Sequence, residues 1–204
     1  MPPRRVLVVY ATTHGQTGKI AEHVARRLEA RGHVVTLVDA DELPRFLSAR
    51  DFDAVVVGSS VTFGRHQKRV RRFVRAERDA LNDRPSAFFS VSGSAGGRTD
   101  AARAEARRYA DELLGESGWR PAHVAIVAGA LAYTRYNPLL RWVMRRIAAQ
   151  NGAPTDTSRD HEMTDWAQVD GFADAFAGAL AGLPAGPLAG PLARPTEAHQ
   201  PVTA

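Results

Sequence analysis

Val6-Leu7-Val8-Val9-Tyr10-Ala11-Thr12-Thr13-His14-Gly15-Gln16-Thr17 is the stretch on which the fold turns. Its first part is a continuous apolar run, the pattern of a parallel strand buried on both faces. Its second part is a short loop of hydroxyl side chains around one glycine. Immediately after it, Ile20, Val24 and Leu28 recur every four residues, with Ala21 and Ala25 beside them, until Gly32. That spacing is an amphipathic helix closed by a C-terminal glycine. A buried strand running through a tight polar loop into a helix is the opening unit of a parallel α/β sheet.

The same alternation continues outward. Val34 to Val38 is a second strand, followed by a polar crossover through Leu43, Phe46 and Leu47. Ala54 to Gly58 is a third, leading to a basic helix with Val70, Phe73, Val74 and Leu81 as its apolar stripe. Ser86 to Val91 is a fourth, followed by the polar loop Ser92 to Arg98 and an Ala- and Arg-rich helix ending near Gly115. His123 to Ala128 is the fifth, and Asp165 to Leu180 the last helix. Five such units predict a flavodoxin-like α/β fold, a five-stranded parallel sheet with helices on both faces.

Two segments break the rhythm. A helical insertion of about 130–164 separates the fifth strand from the last helix, where a turn of 2–6 residues is usual. The insertion predicts its own helix, Pro138 to Gln150, with Leu139, Leu140, Val143, Met144 and Ile147 on one face. Residues 182–204 are rich in proline, glycine and alanine without apolar period, and read as a flexible tail on a domain of 1–181.

Composition narrows the chemistry. The chain has 204 residues, no cysteine and a net charge of +5. Disulfides, thiolate metal sites, iron–sulfur clusters and a cysteine nucleophile are therefore excluded. Lys19 and Lys68 are the only lysines, so the positive charge is almost wholly arginine. Coding bias and an anionic partner both account for that excess. The apolar run after Arg4 and Arg5 is too short for a secretion signal, and no run is long enough to span a bilayer. A cytoplasmic protein is expected, peripheral on the inner face of the cell membrane.

Thr12, Thr13 and Thr17, with Gly15 for close backbone approach, have the chemistry to wrap a phosphate at a helix N-terminus. The alternative is a plain threonine cap. No P-loop lysine and no G-x-G-x-x-G is present, which suits one monophosphate. The loops Gly58 to His66 and Ser92 to Gly96 complete any pocket at the carboxyl end of the sheet. Taken alone, Phe63 reads as a core residue beneath its loop. His161-Glu162 lacks a second histidine at ligand spacing, so no metal site is expected and the pair reads as exposed loop. Arg69, Arg71, Arg72 and Arg75 lack a recognition module and read as a solvated face, not a nucleic-acid site.

A resemblance sharpens these readings. The phosphate loop, Gly58-Ser59-Ser60 with Gly64, Pro85-Ser86-Ala87-Phe88 and Trp119-Arg120-Pro121 form one part of it. Ala128-Gly129-Ala130-Leu131, Tyr133, Arg135-Tyr136, Gly152, Thr155-Asp156-Thr157 and Thr164-Asp165-Trp166 form the other. Over about residues 5–180 the chain resembles the flavodoxin-type, menaquinone-dependent protoporphyrinogen IX dehydrogenases of bacteria. The resemblance implies non-covalent FMN, oxidation of protoporphyrinogen IX in haem synthesis, and electron delivery to a respiratory quinone, menaquinone or ubiquinone. It implies a flavin site of Thr12, Thr13, His14, Gly15, Gln16 and Thr17, with Ser60, Val61, Thr62, Phe63 and Gly64. Ser92, Gly93, Gly129, Ala130 and Leu131 complete it. Arg135, Arg141, Arg145 and Arg146 are candidates for substrate contact or for an anionic membrane surface. A flavodoxin-like electron carrier, a quinone reductase without porphyrin activity and a flavin-free module are the competing functions on the same fold.

Overall fold

The structure is a computed structural model that describes residues 2–182; the tail expected from 182 onward lies, from 183, outside the described residues. The sheet is formed by β1 (Arg5–Ala11), β2 (Val34–Asp39), β3 (Ala54–Thr62), β5 (Ser86–Ser92) and β6 (His123–Ala128). All four pairings are parallel, in the order β2-β1-β3-β5-β6. A two-residue strand, β4 (Arg65–His66), folds back antiparallel on the end of β3. Successive side chains of one strand point to opposite faces, so β1 feeds two cores. Val6 and Val8 pack with Ile20, Val24 and Leu28 of α1 (Gln16–Ala30) and with Phe176 and Leu180 of α6 (Trp166–Ala181). Leu7 and Val9 pack with Val70 and Phe73 of α2 (Lys68–Ala76) and Leu81 of α3 (Arg78–Asn82). Leu113 of α4 (Asp100–Ser117) and Trp119 close that second core.

Four local expectations change. β3 continues past Gly58 to Thr62, because Gly58, Ser59 and Ser60 still pair in register with Phe89, Ser90 and Val91. At Gly58 an added Cβ would lie 2.0 Å from the Phe89 ring, so only glycine fits beneath that side chain. The single basic helix is two, α2 and α3, parted at Glu77, whose carboxylate accepts from the Ser48 hydroxyl and the Ala49 N–H. Its arginine face is not simply solvated: Arg71 and Arg75 converge on Glu116 of α4 at 2.9 and 3.3 Å. His161-Glu162 is not loop but strand β8 (His161–Glu162), paired antiparallel with β7 (Ala130–Leu131).

The insertion is thereby a folded unit. The β7–β8 ribbon and α5 (Pro138–Gln150) enclose a third apolar cluster of Leu131, Ala132, Tyr133, Tyr136 and Ala148. Asn137 caps α5 through Leu140 N–H, and Pro138 occupies its first turn, as a helix start favours. Leu140 and Met144 pack on the cluster, whereas Leu139 and Trp142 are 73% and 60% exposed. No helix among the described residues is long and apolar enough to cross a membrane.

Candidate functional site

The carboxyl ends of β1, β3, β5 and β6 and the inner wall of the insertion meet around a cavity of ≈ 270 Å³. Its floor is the loop from Thr12 to Thr17. Gly15 stands at φ +94°, a left-handed conformation glycine adopts without strain, and its N–H donates to Thr12 Oγ1 at 2.9 Å. α1 then begins with no acidic residue in its first turn, leaving its N–H groups and positive dipole end uncompensated. Thr17 is 1% exposed, and its hydroxyl has no hydrogen-bond partner. A buried hydroxyl without a partner costs on the order of 1–3 kcal/mol. Its place in the first turn of α1 makes that cost recoverable by an anion.

The insertion reaches this floor from the other side. Arg135 Nη1 donates to the His14 carbonyl at 2.9 Å and would lie 3.6 Å from a Cβ at Gly15. The Tyr136 ring meets the His14 ring edge-on at 5.1 Å. Burial first, and then the Arg135 charge, lower the His14 pKa below its ordinary value, so the imidazole is neutral at pH 7. Gln16 turns its amide to Thr164 Oγ1 at 2.8 Å, and Thr164 donates in turn to Ala128 O. Its side chain therefore holds α1 to the insertion's exit.

The rim is a hydroxyl network. Gln67 Nε2 shares its two hydrogens among Thr13 Oγ1, Ser60 Oγ and Thr62 Oγ1, which lie 2.6, 3.0 and 3.1 Å away, and the Thr13 and Thr62 hydroxyls lie 2.8 Å apart. It ties the β1 loop to the β3–β4 hairpin. That hairpin turns through Phe63 (φ +50°) and Gly64 (φ +76°). Two positive φ values make a mirror-image turn that favours Asn-Gly and disfavours a bulky first residue. Phe63 holds the strained position with its side chain 91% exposed at the cavity edge, so the expectation of a core residue is corrected.

Most sequence-selected residues converge. Thr12, Thr13, His14, Gln16 and Thr17 line the cavity with Ser60, Val61, Thr62 and Phe63, and Ser92, Gly93, Gly129, Ala130 and Leu131 complete the set. Gly15 shapes the floor from behind, and Gly64 faces a neighbouring groove instead. Val91, Tyr136, Leu140 and Met144 also line the cavity and were not selected, nor was Gln67. The four arginines separate. Arg135 belongs to the loop floor. Arg141, half-buried, donates to Tyr133 O and Tyr136 O at 3.0 and 3.1 Å and so braces the insertion. Arg145 and Arg146 remain exposed on α5.

The neighbouring groove, ≈ 430 Å³, runs between α4 and α5 and shares Val61, Phe63, Gly93 and Leu131 with the cavity. Glu105 and Tyr109 of α4 stand on one side of it, Val143 and Ile147 of α5 on the other.

Comparison with known proteins agrees with this architecture. A family model described as flavodoxin domain matches residues 7–158. A protein named protoporphyrinogen IX dehydrogenase (quinone) from Escherichia coli is 33% identical over 171 residues, 83% of this chain and 92% of that one. One of the same name from Leishmania major is 34% identical over 170 residues, 83% of this chain and 73% of its own. Among solved structures, an archaeal flavodoxin superposes with a TM-score of 0.53 at 16% identity, over 87% of this chain and 99% of its own.

Proposed function

The chain belongs to the flavodoxin-domain family of protoporphyrinogen IX dehydrogenases (quinone), and on that premise we propose that it oxidises protoporphyrinogen IX to protoporphyrin IX and passes the electrons to a quinone. The cofactor is a flavin, specifically FMN held non-covalently in the cavity. The observation that carries this assignment is the partnerless, buried Thr17 hydroxyl at an α1 terminus flanked by Arg135. Thr12, Gly15 and the α1 N–H groups would hold one phosphate, with the Arg135 guanidinium as its counter-charge. Ser60, Thr62, Phe63, Ser92, Gly93, Gly129 and Ala130 would hold the ribityl chain and ring.

When bound, the flavin supplies the two-electron acceptor that no side chain here provides. The protein's own contribution is to orient and shield. Gln67 fixes the rim, Phe63 would offer an aromatic surface to the ring, and the apolar side chains of Leu131, Leu140 and Met144 would keep water from one wall. The quinone partner lives in a membrane, and α5 is suited to meet it. Leu139, Trp142 and Ile147 are exposed on the same helix as Arg145 and Arg146, a basic amphipathic surface that would lie on anionic lipid at the inner face of the cell membrane.

Anaerobic mixing of the FMN-loaded protein with protoporphyrinogen tests the reading. With the FMN-loaded protein in excess over substrate, bleaching of the flavin with appearance of porphyrin absorbance is expected. A flavin that stays oxidised, while a chemical reductant bleaches it normally, would point to an electron carrier.

A further inference from the structure

We infer that the groove between α4 and α5 is the seat of the reduced tetrapyrrole, and that the Glu105 carboxylate receives its pyrrole N–H groups and takes the protons lost on oxidation. The inference rests on the porphyrinogen reading above and assigns that reaction a site and a proton acceptor.

Position comes first. The groove opens directly on the flavin cavity, since Phe63, Gly93 and Leu131 line both. From Gly93 the chain passes to Ser94, whose hydroxyl donates to Glu105 Oε2 at 2.7 Å. The carboxylate therefore sits one side-chain hydrogen bond from the cavity wall. At the far end Arg98 N–H donates to Asn151 O at 2.9 Å, bridging the loop before α4 to the end of α5. Both walls are thus held in place. The α5 wall and the cavity edge present Phe63, Leu140, Val143, Met144 and Ile147, an apolar surface for a large ring.

Chemistry selects the occupant. A carboxylate has room for about four hydrogen bonds and acts only as an acceptor when ionised. Ser94 supplies one donor. Tyr109 stands beside Glu105 on α4, and burial, then the neighbouring Glu105 carboxylate, raise its phenol above the usual range. Arg108 stands no nearer than 4.0 Å and places its other nitrogen 2.5 Å from Glu112. Glu105 thus keeps acceptor capacity toward the groove. A quinone offers only acceptor oxygens and mismatches it. A porphyrinogen offers four N–H donors, and its saturated bridges let the pyrrole rings tilt those donors to one face. The planar product turns its remaining N–H groups inward, so the same carboxylate favours substrate over product.

The step balances. In each two-electron oxidation one bridge C–H bond breaks and its hydrogen leaves with the electron pair to the flavin, while one proton goes to Glu105, from a pyrrole N–H in two of the steps and from the fourth bridge carbon in the other. The proton then passes to water at the groove's open side. Three such steps break four bridge C–H and two N–H bonds, the six hydrogens that separate substrate from product, and a quinone takes the electrons on after each.

The test uses FMN-loaded wild type, Glu105→Gln, Glu105→Asp and Val143→Trp, the last filling the groove from a residue that does not line the flavin cavity. Steady-state turnover of protoporphyrinogen, FMN affinity and binding of protoporphyrin IX by fluorescence are measured on each. Glu105→Gln should lower kcat/KM by about 100-fold or more, because it removes both a charge-assisted hydrogen bond and the proton acceptor. It should leave FMN affinity unchanged and product binding within about twofold, since the planar product does not use that bond. Glu105→Asp should recover part of the loss. Val143→Trp should abolish turnover and weaken product binding while retaining FMN. Wild-type kcat/KM in Glu105→Gln, or normal turnover by Val143→Trp, would overturn the assignment and leave the enzyme reading intact. A wild type that binds FMN yet never oxidises protoporphyrinogen would overturn both.

Discussion

Replacing Arg135 by glutamine isolates the phosphate's counter-charge from the rest of the flavin site. The guanidinium lies 3.6 Å from where a Cβ would stand on Gly15 and forms no ion pair among the described residues. A phosphate over that glycine would lie on the order of 5 Å away, where unit charges attract by about 3 kcal/mol at an effective dielectric of about 20. Arg135 is exposed, so solvent and salt reduce this to about 1.5 kcal/mol, roughly tenfold in affinity. Arg135→Gln should therefore weaken FMN about tenfold while leaving riboflavin, which lacks the phosphate, unchanged. Arg135→Lys should lie between. Fluorescence titration of apoprotein with both flavins, at low and high salt, reads the difference, and high salt should narrow it. An equal fall for FMN and riboflavin would refute the argument and leave Arg135 as a strut that merely seats the insertion on the His14 carbonyl.

Three further outcomes are expected. Phe63→Asn places a favoured residue at the left-handed turn position, so thermal stability should rise by on the order of 1 kcal/mol. FMN should meanwhile bind about three- to tenfold more weakly for loss of one aromatic contact; unchanged FMN affinity would remove Phe63 from the ring site. His66 is buried against Ser90 Oγ at 2.9 Å, and burial, then Arg71, push its pKa down to about 4. The unfolded chain binds that proton below about 6.5, so stability should be full above this pH and fall by about 3 kcal/mol as pH drops toward 4. Urea midpoints across that window should show a smaller fall in His66→Gln. On anionic vesicles, Arg145→Gln with Arg146→Gln should weaken binding about 30-fold at low salt, at about 1 kcal/mol per charge. Arg141→Gln should leave vesicle binding unchanged, because that side chain is spent on Tyr133 O and Tyr136 O.

What the sequence disclosed follows from how local each signal is. β1, its loop and α1 were legible because strand, hydroxyl-rich loop and helix are contiguous and carry two different apolar periods. α5 was legible residue for residue, since Asn137 and Pro138 announce its start. The end of β3 was hidden because Gly58-Ser59-Ser60 is polar and small, the usual composition of a turn, yet it lies under Phe89 inside the sheet. Phe63 misled because residue type does not report backbone angle, and a phenylalanine at φ +50° is disfavoured everywhere except where something holds it. Gln67 carries no spacing signal at all; only the hairpin's fold brings Thr13, Ser60 and Thr62 within its reach. Arg135 and Arg141 look alike in sequence and differ wholly in role. One crosses 121 positions to the His14 carbonyl in the loop after β1, the other turns back on its own insertion. His161-Glu162 was read as loop because two residues cannot show a strand period, and pairing with Ala130-Leu131 is visible only in three dimensions.

In the proposed reaction one flavin couples a porphyrinogen to a quinone. Its most direct test is the anaerobic ratio of quinol formed to protoporphyrin formed by the FMN-loaded protein. Three quinols per porphyrin are expected, because six hydrogens leave the substrate in two-electron steps. Quinone reduced by a nicotinamide donor while protoporphyrinogen is left untouched would contradict the claim and make the protein a quinone reductase on the same fold.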